Sequence, residues 1–313
     1  MSNNHIDISA IIPITETRIE DITLLHEKYS DALRECKKSF EIIFVFDGER
    51  ANLWATALKL KENNDHIKLV LLSKSFGESV AINAGFESSS GKIIVTLPPY
   101  LQIDTNEIPK LISELEDFDM VVAMRSPRMD PNSNQLQARV FHKILNSLTE
   151  LELHDIGCSV RALDRNVLEE VNLYGDLHRF LPHLAHRKGF KVKEVPLKQA
   201  QDDVHSRIHS PGIYIRRLLD LFSVFFLTKF TKKPLRFFGL IGSSTFAIGL
   251  LISMYLIFER IFFDMNLGDR PALVISSLFM VLGIQVLAIG LIGEIIIFTH
   301  AKDLKEYTIE KIV

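Results

Sequence analysis

Several polar residues stand directly after apolar, β-branched runs, and their types fit the chemistry of phosphate. Asp47 and Gly48 close the run Glu41–Phe46, and Lys74 to Gly77 follow Leu69–Leu72. The run Ile93–Leu97 opens into Pro98-Pro99-Tyr100-Leu101-Gln102, and Met120–Ala123 into Arg125-Ser126-Pro127-Arg128. Ligands of open α/β sheets gather at the carboxyl ends of the strands, so these exits are candidate sites. Guanidinium and ammonium groups there can hold phosphate oxygens, Arg in bidentate fashion. Lys74, Arg125, Arg128 and Arg207 are the candidate cations, with His209 beside Arg207 in SRIHSPG. The plain reading of Asp47 is an Asp-Gly turn, and that of Arg207 and His209 an exposed polar loop. Asp47 and Asp104 are the weak candidates for a divalent cation, although Asp104 equally suits the cap of a helix at 105–115. His183 and His186 share a helix face near His178, but no acid or Cys completes a zinc set at usable spacing.

The elements that must position these residues follow from periodicity. Strand, helix and strand over 68–102 make one right-handed crossover with parallel strands. Ahead of it, Ile8–Ile12 reads as a strand ended by Pro13, 18–38 as an amphipathic helix, Glu41–Phe46 as a strand and 51–63 as a helix. A helix over Ile108–Leu115 and the strand Met120–Ala123 follow, then a helix over 135–148. The alternation specifies an α/β fold with a mostly parallel sheet covered on both faces.

The chain has 313 residues and a formal net charge of −3, with no basic block, which argues against nucleic acid as a partner. Cys36 and Cys158 lie far apart, so a reduced, cytosolic domain is expected. The start, MSNNHIDISAII, lacks the basic and apolar regions of a signal peptide. Charge thins out after Leu221. Phe237–Phe258 is a run of 22 uncharged residues and Pro271–Gly293 one of 23, each long enough for a hydrocarbon core of about 30 Å. Ile213–Phe230 mixes apolar residues with Arg216, Arg217, Asp220 and Lys229, which suits a helix lying in the membrane interface. Gly239, Gly242 and Ser243 on the first span, and Gly283, Gly290 and Gly293 on the second, would allow close helix contact. The expected organisation is a domain at 1–212, an interfacial helix at 213–233, a transmembrane hairpin at 234–300 and a tail at 301–313.

Lys74-Ser75-Phe76-Gly77, Ala84-Gly85, Gly91-Lys92 and Leu101-Gln102 resemble family 2 glycosyltransferases of the GT-A (Rossmann-like) fold. More narrowly, they resemble the membrane-bound polyprenyl-phosphate group that includes the dolichol-phosphate-mannose synthases. Asp155 with Arg161, then Arg179-Phe180-Leu181-Pro182 and Gly189 to Pro196, match that group's second half. The donor loops depart from it. Pro13-Ile14-Thr15-Glu16-Thr17 stands for Pro-x-Tyr-Asn-Glu, Phe46-Asp47-Gly48-Glu49 for Asp-Asp-Gly-Ser, and Pro98-Pro99-Tyr100 for Asp-x-Asp.

The resemblance implies an inverting enzyme that moves a sugar from a nucleotide-sugar to polyprenyl phosphate, for modification of cell-envelope glycan or glycolipid. It implies Asp155 and Arg161 as catalytic residues. Donor contacts would come from Pro13, Glu16, Asp47, Gly48, Lys74, Gly77, Tyr100, Gln102 and Arg125, and acceptor-phosphate contacts from Arg128, Arg207 and His209. Mg²⁺ or Mn²⁺ is the cofactor it implies, while the paired carboxylates that would hold it are missing here. The competing reading is a catalytically degenerate domain serving as a membrane-anchored binding or scaffold protein. A homo-oligomer through the transmembrane helices is a further expectation.

Lys229, Lys232, Lys233 and Arg236 precede the first span, and Lys302 and Lys305 follow the second. The positive-inside bias therefore places the domain and both termini in the cytoplasm, in a multi-pass protein of the inner (plasma) membrane. A cysteine introduced at Asn266 should react with an impermeant thiol reagent added from outside, and labelling from the cytoplasmic side alone would overturn this topology.

Overall fold

The computed structural model describes residues 6–15, 19–129, 151–171, 173, 175, 177–201, 203, 234–263 and 271–300. The expected helices at 135–148 and 213–233 and the tail at 301–313 lie outside these residues. Two compact units are distinguished, one holding the strands and the other the two long helices.

In the first unit, β1 (Ile8–Ile14), β2 (Phe40–Phe46), β3 (Ile67–Leu71) and β4 (Ile93–Thr96) form a parallel set. They alternate with α1 (Ile22–Glu35), α2 (Ala51–Glu62) and α3 (Glu78–Glu87). Next come α4 (Ile108–Ser113), β5 (Met120–Arg125), β6 (Arg161–Asp164), α5 (Arg165–Glu170), α6 (Leu181–Arg187) and β7 (Val192–Leu197). The described strands make a mixed sheet in the order β3-β2-β1-β4-β6-β5-β7, with β6 antiparallel to both β4 and β5. β1 and β2 are almost wholly buried, as continuous apolar runs require when both faces are covered. Pro13 does not end its strand. Its rung lies beyond Ile11, the last residue of β1 paired with β4, so its missing N–H breaks no ladder on that side.

Strand order reverses between β1 and β4, which run side by side while their connections lead to opposite sides of the sheet. Such a switch point opens a crevice beyond the strand carboxyl ends. The exits at Ile14, Phe46 and Thr96 flank it. α3 lies close over β1 and β2: a Cβ at Gly85 would fall 2.5 Å from Ile11 Cγ2 and 3.0 Å from Val45 Cγ2.

In the second unit, α7 (Pro234–Phe263) and α8 (Pro271–His300) form a tightly packed pair. Both are long and apolar enough to cross a membrane, at about 1.5 Å per residue. A Cβ at Gly242 would lie 2.7 Å from Gly283 O, and one at Gly249 2.7 Å from Ser276 O. These glycines thus serve contact within the hairpin. Glu294 accepts a hydrogen bond from Leu235 N at 3.3 Å, at the start of the opposing helix.

On the first unit's flank, His26 on α1 meets His66 with ring nitrogens 3.0 Å apart. Burial, then the neighbouring His66, pushes the His26 pKa down to about 4. The folded state therefore resists a proton that the unfolded chain accepts near pH 6.5. Stability should be full above that value and fall as pH drops toward 4, at most about 1.4 kcal/mol per pH unit. Denaturation midpoints measured from pH 7 to 5 should show this slope, and His26→Gln should flatten it.

Candidate active site

At the β2 exit the Asp47 carboxylate is turned inward. It accepts hydrogen bonds from Ser75 Oγ (2.7 Å), Phe76 N (2.6 Å) and Gly77 N (3.0 Å). Gly48 and Gly77 carry φ of 87° and 95°, which glycine adopts without a Cβ penalty. A Cβ at Gly48 would sit 3.1 Å from Ser75 N, so the two loops touch backbone to backbone. Asp47 is thereby the brace that sets the start of α3. Arg50 donates to Thr15 O at 3.0 Å and ties the β1 and β2 exits together.

At the β4 exit the carbonyls of Pro98, Pro99 and Tyr100 are each held. Tyr29 Oη donates to Pro98 O (3.0 Å) and Tyr100 O (3.3 Å), and Glu20 N donates to Pro99 O (3.0 Å). Gln102 Nε2 donates to the Tyr100 hydroxyl at 2.7 Å, and Gln102 Oε1 accepts from Ser159 N at 2.8 Å. Tyr100 is 6% exposed. Pro98, Pro99 and Tyr100 thus form a rigid, uncharged turn.

Beside it lies a buried ion cluster. Arg125 grips Asp155 through Nε (2.7 Å) and Nη2 (2.9 Å), and Asp203 through Nη1 (2.9 Å). Burial alone would raise the Asp155 pKa, but the Arg125 hydrogen bonds and charge, with help from Arg128, hold it below the usual carboxylate range. The Asp155 turn is itself positioned by Glu194 of β7, which accepts from His154 N and Asp155 N, each at 2.8 Å. Gln199 donates to Asp203 and accepts from Met129 N, fastening the loop that carries Arg128. Arg128 is partly exposed, 3.8 Å from Asp155 Oδ1. Cys158 is buried between these groups, and burial followed by the Asp155 charge pushes its thiol up to about 12.

A second polar cluster sits where α3 begins. Arg161, at the first residue of β6, donates to His178 O at 2.6 Å, while its buried Nε has no hydrogen-bond partner. His178 Nε2 lies 3.1 Å from Glu78, and its backbone N donates to Ser79 Oγ at 3.1 Å. Burial opposes ionisation of Glu78, but His178, Arg161 and Arg179 keep its pKa low.

The structure thus gathers Pro13, Asp47, Gly48, Gly77, Tyr100, Gln102, Arg125, Arg128, Asp155 and Arg161 at the strand exits. Lys74 is exposed and lies over the Phe76 ring at 5.1 Å. Asp155, expected as a catalytic residue, and Arg125, expected at the donor, are bound to each other. Glu16, Arg207 and His209 lie outside the described residues. Asp104 caps the turn at Thr105–Glu107 through Asn106 N (3.2 Å) and faces Lys198 at 3.8 Å. Glu20, Tyr29, Arg50, Glu78, Glu194 and Asp203 went unnoticed in the sequence. Glu20 and Tyr29 read there only as parts of a helix pattern, and Glu194 as part of a motif.

Three features of the donor set count against a divalent cation at these exits. The β4 turn has no carboxylate, Asp47 is committed to protein N–H and O–H groups, and Asp104 is a cap. Among the described residues no three His, Cys, Asp or Glu side chains converge as a metal set would require.

The profile of a family described as glycosyl transferase family 2 matches residues 9–171. The chain is 30% identical to an undecaprenyl-phosphate 4-deoxy-4-formamido-L-arabinose transferase of Enterobacter sp., covering 98% of this chain and 93% of that one. It is 27% identical to a dodecaprenyl-phosphate galacturonate synthase of Rhizobium johnstonii, over 95% and 90% of the two chains. A solved glucosyl-3-phosphoglycerate synthase from Mycobacterium tuberculosis with bound UDP aligns over 69% of this chain and 79% of its own, at 16% identity and a TM-score of 0.48. With the profile spanning over half the chain and the similarity running from end to end, the chain belongs to glycosyl transferase family 2.

Proposed function

We propose that this protein transfers a sugar from a nucleotide-sugar to polyprenyl phosphate at the cytoplasmic face of a membrane. The observation that carries the reading is the end-to-end similarity to two polyprenyl-phosphate sugar transferases, which runs through the apolar hairpin as well as the sheet. The donor lies across the exits of β1, β2 and β4, near Pro13, Gly48, Tyr100 and Gln102. Its loop is pre-set by Asp47, with Lys74 and Gly77 on the same segment. A phosphate oxygen of the lipid attacks the anomeric carbon, the bond to the diphosphate breaks, and that electron pair leaves with the nucleoside diphosphate. The configuration inverts. The acceptor is already an anion, so no base has to remove a proton. Arg128, with Arg207 and His209, meets its phosphate. The domain at 1–212, the interfacial helix at 213–233, the hairpin at 234–300 and the tail at 301–313 have both chain ends in the cytoplasm.

One observation favours a second reading. The Pro98–Tyr100 turn has lost every carboxylate, as a domain kept for binding alone could. Full-length protein in nanodiscs, given radiolabelled nucleotide-sugars and undecaprenyl phosphate, separates the two. Label appearing in the organic phase supports the enzyme, with Asp47→Ala lowering transfer at least about tenfold through loss of the loop brace, about 1.4 kcal/mol. Nucleotide binding without transfer supports the binding protein.

Asp155 is proposed to act by holding Arg125 and its loop in place. Asp155→Asn then leaves a buried guanidinium under-compensated, at a cost of about 3 kcal/mol. Urea denaturation of the variant should show that loss. A variant as stable as wild type, with only its turnover gone, would instead make Asp155 a substrate-contacting group.

A further inference from the structure

We propose that this chain takes the diphosphate of its donor without a divalent cation; the inference rests on the glycosyl-transfer reading above and deepens it. The turn where the family's paired carboxylates stand offers no hard ligand. Proline supplies none from its side chain, and the Tyr100 hydroxyl is a neutral phenol already bonded to Gln102 at 2.7 Å. Backbone carbonyls could replace carboxylates around a cation, yet those of Pro98, Pro99 and Tyr100 each accept a hydrogen bond from Tyr29 or Glu20. Those hydrogen bonds fasten the turn to α1 and its leading segment and set the direction of its carbonyls.

Four nearby acids are committed in the same way, and Glu20 Oε1 accepts from Leu101 N at 3.3 Å. Both oxygens of Asp47 accept protein donors. Asp155 and Asp203 enclose a guanidinium, whose charge repels a cation. Asp104 faces an ammonium group. The charge that offsets the leaving diphosphate therefore comes from side chains. Arg50, Lys74 and Arg128 are incompletely buried cations at these exits. A guanidinium matches phosphate bidentately, whereas a metal draws on hard oxygen ligands that the side chains of the turn do not supply.

The test is calorimetric binding of UDP, GDP, CDP and dTDP to the full chain in nanodiscs, in EDTA and with excess Mg²⁺ or Mn²⁺. The expected result is at least one nucleotide whose Kd in EDTA lies within about threefold of its value with metal. In parallel, Mn²⁺ paramagnetic resonance should show no tight ion site on the protein alone, and none beyond the nucleotide's own Mn²⁺ binding in the complex. Binding that tightens by about tenfold or more with metal overturns this inference and leaves the transferase reading standing. Failure of every nucleotide in both buffers, with the helical circular dichroism of the wild type retained, overturns the transferase reading and this inference together. Arg128→Met separates the charge source: at least about a fivefold loss of affinity in EDTA is expected, and unchanged affinity would remove Arg128 from the account.

Discussion

A guanidinium that is only 7% exposed is tolerable because two carboxylates share it, and the mouth of the sheet is built around that compensation. Arg125 closes β5, Asp155 lies in the turn before β6, and Asp203 follows β7. Three segments far apart in sequence are therefore locked by one planar, five-donor group. Glu194 holds the Asp155 turn from behind, and Gln199 couples Asp203 to the loop of Arg128. Removing one partner from such a set is costly because the charge left behind stays buried. The cluster therefore ties together the loops at the β5, β6 and β7 ends of the sheet.

The β2 and β4 exits are ordered by side-chain contacts to backbone groups. Asp47 spends its carboxylate on the loop that launches α3, and Tyr29 spends its hydroxyl on two carbonyls of the β4 turn. Both residues couple an exit loop to an element packed on the sheet. Rigid exits of this kind bind ligands with little ordering cost. They also leave the Pro98–Tyr100 turn without a side-chain carboxylate of its own.

The long helices are apolar enough to suit a different solvent, the hydrocarbon of a membrane. Their outward side chains are large and apolar, while Gly242, Gly249 and Gly283 permit backbone approach inside the hairpin. Glu294 meets the amino end of the opposing helix, where an acceptor satisfies an orphan N–H and complements the helix dipole. A polar group on so apolar a helix is retained where it finds a partner.

Much of this was legible in the sequence, because the first four strands and the two spans are local signals. β-branched runs such as Ile42 to Phe46 and uncharged stretches such as 237–258 need no distant partner to be recognised. The exits were legible too, since a strand end followed by Asp-Gly or Pro-Pro marks a loop. β6 and β7 were not, because Arg161–Asp164 and Val192–Leu197 are short, mixed in polarity and become strands only by pairing with β4 and β5. The same limit applies to the site. Strand-end position placed Arg125 and Asp47 among the candidate site residues, since charge and position are properties of single residues, and Asp155 entered through the family resemblance. That Asp155 faces Arg125, and Asp47 the N–H groups of Phe76 and Gly77, was decided by the tertiary structure. A buried charge takes whichever partner the fold brings within hydrogen-bond distance, and that partner lies about 30 residues away along the chain for both acids.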